Sequence, residues 1–307
     1  MSEDLGLWSV LIAMLGGAIR VSTPFLFVSL GECLTERSGR INLGLEGTLV
    51  FGAMSGYAIA YETGSPWMGV AAAALCGSLF GLFHGWICKF KGVNDIAIGI
   101  ALMLLGIGLA FFFGKPYVQP IAPDLPSISF GWWSSSPQLE AALEINALFL
   151  IGIVLAFAMW WFFKNTALGL RIRVVGDSTD AARAIGIRPN VIRLWSTAAG
   201  GAFAGVGGDY LSLYYPGSWN EGISSGQGLM AVALVIFARW NPIMCLFAAL
   251  LFGAAGALGP ALQTVGFTSG YYLFFAAPYV LTLALLILTS TPGKAQESAP
   301  GELSITK

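Results

Sequence analysis

Gly169-Leu170-Arg171-Ile172-Arg173-Val174-Val175-Gly176-Asp177-Ser178-Thr179-Asp180-Ala181-Ala182-Arg183-Ala184-Ile185-Gly186-Ile187-Arg188-Pro189 is the longest polar, basic stretch of a chain that is otherwise nearly all apolar. Arg171, Arg173, Arg183 and Arg188 give it its charge. Asp177 can act as an N-cap, and Asp180 places an acid in the first turn, where the helix dipole favours it. Gly186 offers a stop, and Pro189 forbids continuation. The pattern predicts a helix of about two turns with Ala181, Ala182 and Ile185 on one side. So short a helix is not stable alone in water, so it must pack against a partner surface. A merely solvated loop is the plainer alternative.

Around this stretch the composition is that of a membrane protein. Of 307 residues, 56% are hydrophobic and 10% charged, where a soluble domain carries about 25% charged residues. Mean hydropathy is +0.76. The formal net charge of −1 leaves no footprint for nucleic acid. Cys33, Cys76, Cys88 and Cys245 lack metal-type or redox-type spacing and read as small apolar packing residues. The acidic start, with Glu3 and Asp4 and no small-residue cleavage site, reads as leading into a first span, not as a removable signal peptide.

Nine apolar segments are long enough to cross, or nearly cross, a core of about 30 Å. They lie near Leu5–Leu30, Leu45–Tyr61, Trp67–Cys88, Ile96–Phe113, Ile145–Phe163, Val191–Leu213, Leu229–Phe237, Ile243–Val265 and Tyr271–Thr289. The seventh is too short unless it borrows from Gly222–Gly228 or is a broken helix. The expected fold is therefore all-α: one polytopic transmembrane domain over 1–290, with about nine spans (range 8–10) and a candidate inverted repeat with broken helices. A polar tail, 291–307, is expected to be disordered.

Counting spans outward from a cytoplasmic 164–190 loop puts 13 of the 15 basic residues inside. Only Lys115 falls outside, and Arg20 lies within the first span. The positive-inside rule favours that bias, with the N-terminus outside and the C-terminus inside. The main external segment, 114–144, is broken by Pro116, Pro120, Pro123, Pro126 and Pro137, so much of it is neither helix nor strand. Trp132 and Trp133 beside Phe130 read as a headgroup-level anchor, or as part of a docking surface for an external protein.

Catalytic chemistry is hard to find. His84 is the only histidine and sits among apolar residues, so it reads as a packing residue. There is no Walker A sequence, because Gly293-Lys294 lacks both the upstream Gly and the following Ser or Thr. Neither metal nor cofactor is expected. Ionisable residues near membrane depth are Arg20, Glu32, Glu46, Asp95, Asp209 and Glu221, most of them at predicted span ends. Glu46 and Glu221 stand with Asn42 and Asn220 among glycines, where broken helices expose amides to a cavity suited to a polyhydroxylated solute. Trp219 could stack a sugar face or a base. These five residues form the candidate solute pathway. Asn42–Gly47 and Asn220–Gly226 also echo one another ahead of oppositely directed spans, which is the pattern of an inverted repeat. Gly77, Gly81 and Gly85 recur at four-residue spacing, as small residues do at tight helix crossings.

Asp180-Ala181-Ala182-Arg183-Ala184-Ile185-Gly186 resembles the Glu-Ala-Ala-x-x-x-Gly loop of bacterial ABC importer permeases, with Asp in place of Glu. The fuller pattern continues to Ile-x-Leu-Pro, where this chain reads Ser196-Thr197-Ala198-Ala199. That truncation resembles the branch importing simple sugars and nucleosides (ribose-type and basic membrane protein-associated systems). Glu36–Gly47 and Pro216–Gly226 resemble the same branch. The resemblance implies that Gly176, Asp180, Ala181, Ala182, Ile185 and Gly186 form a coupling helix set in a groove of an ABC ATPase subunit. It further implies a second permease subunit, an extracytoplasmic solute-binding protein and a place in the bacterial inner membrane, with ATP hydrolysed by another chain. An ion-coupled secondary transporter is the rival reading; it would need a coupling-ion site near the midplane.

Overall fold

The computed structural model describes residues 6–134, 136–263, 274, 276–289 and 299–304. It is an all-α polytopic membrane protein. The first four spans are α1 (Gly6–Arg37), α2 (Leu45–Thr63), α3 (Pro66–Ile87) and α4 (Asp95–Gly114). The fifth expected span is α6 (Ala147–Asn165), and the later ones are α9 (Pro189–Leu213), α10 (Gln227–Phe237), α11 (Pro242–Gln263) and α12 (Ala277–Thr289). The starts of the first and ninth expected spans, and the end of the eighth, fall partly outside the described residues. Among the described residues, five helices are both long and apolar enough to cross a membrane: α1, α3, α4, α6 and α11.

Small residues decide how these helices pack. Between α3 and α9, a Cβ on Gly77 would overlap the Gly201 carbonyl oxygen, and one on Gly201 would overlap that of Gly77. Gly81 meets Thr197 and Gly205 meets Ala73 in the same way. The glycine row of α3 is therefore spent on a crossing inside the chain, where close backbone approach replaces the missing hydrophobic drive. Helix α1 lies against α9 on one side and α11 on the other.

Two ends of the bundle follow from the loop contacts. At the basic end, Arg40 pairs with Asp95 at 2.5 Å and also bonds the Cys88 carbonyl. Arg37 Nε donates to the Trp240 carbonyl at 3.0 Å, and Arg193 Nε to the Ser38 carbonyl at 3.0 Å. At the opposite end, the Tyr57 hydroxyl donates to the Pro120 carbonyl at 2.7 Å, and the Leu125 amide to the Leu213 carbonyl at 2.9 Å. The proline-rich segment there is more ordered than its sequence suggests. It carries a short helix α5 (Pro137–Ala142) and a two-stranded antiparallel ribbon, β1 (Ser127–Ser129) with β2 (Glu144–Asn146).

Two expectations, on the stretch opening at Gly169 and on the tail, are corrected. The stretch opening at Gly169 is not a loop with one short helix. It begins as an amphipathic helix α7 (Ala167–Asp177), which buries Ile172 and Val175 and precedes α8 (Thr179–Ala184). The seventh stretch is short in the structure too, as its sequence leads one to expect: its eleven residues rise about 16 Å, half of a membrane core. The tail is not wholly disordered, because residues 301–304 form a turn of helix α13 (Gly301–Ser304), with Leu303 against the core.

Candidate coupling surface and candidate solute pathway

At the basic end α8 is closed by its own sequence. Ser178, not Asp177, is the N-cap; its hydroxyl accepts from the Ala181 amide at 3.2 Å, while Asp177 ends α7. Gly186 has φ +80°. The Ile187 amide donates to the Ala182 carbonyl at 2.9 Å and the Gly186 amide to that of Arg183 at 3.0 Å. Those two bonds form a Schellman motif, which requires a residue in the left-handed region at Gly186.

Ala181, Ala182 and Ile185 do not share an outward face. Ala182 is 0% exposed, buried within the chain, whereas Ile185 is 66% exposed. A helix this short turns one residue in three or four inward, and here that residue is Ala182. Asp180, Ala181, Arg183 and Ile185 are left facing out. Beside them lies a 530 Å³ groove lined by Leu170, Val174, Ile185, Ile187 and Val191, with Arg171 and Arg188 at its rim. Gly176 is buried where α7 meets α1, and a Cβ there would overlap the Arg37 carbonyl oxygen.

Arg193, which the sequence reading counted only as a charge, ties this surface together. Its Nη2 donates to Thr179 Oγ1 at 2.9 Å, to the Val175 carbonyl at 3.4 Å and to Glu302 Oε2 at 3.3 Å. With the bond to Ser38, one buried guanidinium joins the ends of α1 and α7, the start of α8, and the tail. Glu302 Oε1 also accepts from the Thr179 amide at 2.8 Å, adding a cap to α8 from a distant part of the chain.

Partial burial works to raise the Glu302 pKa, but hydrogen bonds from Thr179 and the charge and hydrogen bonding of Arg193 outweigh it. The carboxyl is held below its usual range. Tail docking therefore draws stability from the carboxylate above the unfolded-state pKa and loses it as pH falls through the lowered folded value. Hydrogen exchange at the Thr179 amide should accelerate on acidification relative to exposed amides in the same chain. Glu302→Gln should show fast exchange already at neutral pH.

Within the bundle the two echoing Asn-Glu-Gly stretches meet. Glu46 is 5% exposed. Its carboxylate accepts from Ser224 Oγ at 2.5 Å, the Gly226 amide at 3.0 Å and the Gly228 amide at 2.7 Å. The N-terminus of half-helix α10 is thus capped by a side chain from α2. A Cβ on Gly228 would stand 2.6 Å from Glu46 Cα, so glycine is needed for this approach. Asn42 is buried too: its amide donates to Glu32 Oε1 at 2.8 Å, and its Oδ1 accepts from the Gly44 amide at 2.9 Å.

The remaining pathway candidates separate. Trp219 is 1% exposed and packs on Gly114, whereas Asn220 and Glu221 are exposed. Asn220 Oδ1 accepts from the Gly222 amide at 3.1 Å, closing a turn. The loop Tyr214–Gly226 borders a 380 Å³ cavity lined by Phe25, Tyr215, Ile223, Ser225, Gln227 and Tyr279, among others. Gln227 Oε1 is buried without a partner among the described residues, and the Tyr279 hydroxyl donates to the Ser225 carbonyl at 2.8 Å. A second cavity of 360 Å³ shares Tyr215 and Pro260 with it and reaches Arg20. Of the acids at membrane depth, Asp209 is fully buried beside Gly56, and neither of its oxygens has a partner among the described residues.

Residues 14–290 match the family model described as branched-chain amino acid transport system / permease component. The chain is 34% identical over 250 residues to the putative glucose ABC transporter permease protein TsgC13 of Haloferax volcanii, covering 80% of this chain and 76% of that one. It is 31% identical over 290 residues to the guanosine ABC transporter permease protein NupQ of Bacillus subtilis, covering 89% and 90%. With the nucleoside ABC transporter permease protein NupC of Lactococcus lactis it shares 30% over 284 residues, covering 87% and 89%. The chain belongs to this family of ABC transporter permease components. Such a component is a membrane-spanning transport subunit and not itself an enzyme. Family membership implies the usual importer assembly of ATPase, second permease and solute-binding protein.

Proposed function

We propose that this chain carries a nucleoside or a simple sugar inward across the bacterial cytoplasmic membrane by alternating access, driven by ATP hydrolysis on partner ATPase subunits bound at its basic end. The observation that carries the reading is the construction of α8. It is capped at both ends, and Arg193 pins it to α1, α7 and α9. Asp180, Ala181 and Ile185 face outward beside an apolar groove. A push on that face is passed to α1 and α9 through buried polar contacts that break before they bend. Ala182 and Gly176 serve this surface from within, and Gly186 sets the exit of the chain.

The solute class rests on the names of the relatives and on the broken helix. The cavity bordered by Tyr215, Ile223 and Ser225, on the loop that carries Asn220 and Glu221, pairs apolar walls with tyrosine hydroxyls, a free amide oxygen and backbone groups. That mixture suits a ring carrying hydroxyls. Glu46 and Asn42 hold the seam behind it, and Trp219 backs the loop. A second permease, identical or homologous, and an extracytoplasmic binding protein at the proline-rich end complete the assembly. In this reading the chain crosses nine times, with α10 and its preceding loop as one pass, so that the N-terminus lies outside and the C-terminus inside. The meeting of the two echoing stretches at Glu46 supports an inverted repeat.

Competition of guanosine and glucose for ATP-dependent uptake in proteoliposomes tests the solute class; displacement by neither removes it. Orientation is tested separately. With the native cysteines replaced, single cysteines at Ile121 and Asp180, both strongly exposed, should react with impermeant reagents from opposite sides of the membrane. Reaction of both from outside intact cells contradicts the arrangement.

A further inference from the structure

At the basic end, away from the groove beside α8, α6 finishes in Trp160-Trp161-Phe162-Phe163-Lys164. Aromatic rings followed by a lysine are the composition of a span where it leaves the hydrocarbon for the headgroups. Here Trp160, Phe163 and Lys164 line an open cavity of about 160 Å³, together with Arg37, Arg173, Asn241 and Pro242. The cavity draws on α1, α6, α7 and α11, so it is assembled by the fold and not by one helix.

Its charge is one-sided. Among the described residues, none of Arg37, Lys164 and Arg173 has a carboxylate within 4.0 Å, although four other ion pairs form there. The neighbouring acid, Glu36, is turned away to bond the Trp240 indole N–H. Arg37 spends its Nε on the Trp240 carbonyl and lies over the Phe163 ring at 5.9 Å. Lys164 lies over the Trp160 ring at 4.9 Å. Arg173 Nε is buried and has no hydrogen-bond partner among the described residues. Three cations that converge on one open cavity, with no carboxylate among the described residues to balance them, favour an anion with several acceptor oxygens. Room for several waters, at ~30 Å³ each, is room for one phosphate group.

The level of the cavity decides the source of that phosphate. Phe157, Trp160 and Lys164 follow one another at i, i+3 and i+7 on α6, and Phe157, Val154 and Trp161 are exposed on its outer side. An acyl chain leaving the cavity has an apolar, unpartnered helix face to lie along. A soluble phosphate would gain nothing from that face. We propose that this cavity binds the phosphodiester of an anionic phospholipid, with Arg173 and Lys164 as its ligands, Arg37 behind them, and the lipid tails against α6. Basic pockets between spans at the headgroup level are suited to such lipids. The assignment depends on the membrane, not on the identity of the transported solute, so its failure would leave the transport reading intact.

The test is native mass spectrometry of the full chain released from membranes of phosphatidylcholine doped with phosphatidylglycerol. The wild type should retain one phosphatidylglycerol in preference to phosphatidylcholine. Combined Arg173→Gln and Lys164→Gln should lower that retention about tenfold or more. Arg171→Gln, on the same helix but outside the cavity, should leave it unchanged. Millimolar inorganic phosphate should not displace the lipid. Equal retention by the double variant overturns the proposal. So does displacement by inorganic phosphate, which would make this a site for the soluble anion. A double variant that keeps its lipid but loses a co-expressed ATPase would overturn it too, in favour of a protein contact.

Discussion

Glu46→Ala is expected to abolish uptake while the chain still reaches the membrane. The carboxylate is the shared acceptor for Ser224 and for the Gly226 and Gly228 amides at the start of α10. Removing it leaves a buried amide at Gly228, a part-buried one at Gly226 and a buried hydroxyl short of a partner. Each such group costs about 1–3 kcal/mol, so the seam between α2 and α10 should open. The outer spans do not depend on that seam and should insert normally. Glu46→Gln keeps one acceptor oxygen and should hold part of the seam, giving intermediate uptake. Thermal unfolding of the purified chain should rank wild type above Gln above Ala. Wild-type uptake and stability in Glu46→Ala would mean that α10 needs no cap from α2.

Arg193→Met should uncouple the transporter. The guanidinium is shared among the Ser38 and Val175 carbonyls, Thr179 Oγ1 and Glu302. Methionine fills similar space and satisfies none of them. Each buried acceptor left without its donor costs about 1–3 kcal/mol, and here the loss falls on the Ser38 and Val175 carbonyls, where α8 joins α1, α7 and α9. ATP hydrolysis by the assembled complex should persist while uptake falls about tenfold or more, the equivalent of ~1.4 kcal/mol in a barrier. Arg193→Lys should recover part of the uptake, because an ammonium keeps the charge but not the planar fork that serves several acceptors. Equal loss of hydrolysis and uptake, with the complex dissociated, would instead make Arg193 a determinant of assembly.

Much of the architecture could be read from the chain because apolar runs and breakers obey simple rules. Nine apolar stretches land on helices α1, α2, α3, α4, α6, α9, α10, α11 and α12. The shortness of the seventh follows from Gly222 and Gly226 standing before it, with Gly226 as its N-cap. Gly186 is legible because few residues other than glycine close a Schellman motif. What escaped the reading depends on contacts distant in sequence. Asp177 and Ser178 are both good caps, and only the end of α7 decides between them. Helix α7 was hidden by its arginines, which look like loop until Ile172 and Val175 find the core. The inward turn of Ala182 is invisible for the same reason; Ala182→Glu would disturb the permease itself, whereas Ala181→Glu or Ile185→Asp probes a partner contact. Glu302 lies 123 residues from Thr179, and no local pattern announces that a polar tail will cap a helix there. The burial of Glu46 could have been suspected, because a lone acid after Gly44 and before a long apolar run needs a partner.

If α8 transmits the work of an ATPase to the spans, its exit at Gly186 is where that transmission should break. At φ +80° a valine is strained by on the order of 1–2 kcal/mol, whereas asparagine tolerates that conformation. A Cβ there meets nothing within 4 Å, so the two substitutions differ in backbone strain and not in lost space. The measurement is ATP-driven solute uptake by proteoliposomes holding the complex, with chain content matched between variants. Gly186→Val should lose uptake while hydrolysis continues or the ATPase dissociates, and Gly186→Asn should retain it. Wild-type uptake by Gly186→Val, with the ATPase still bound, would contradict the account.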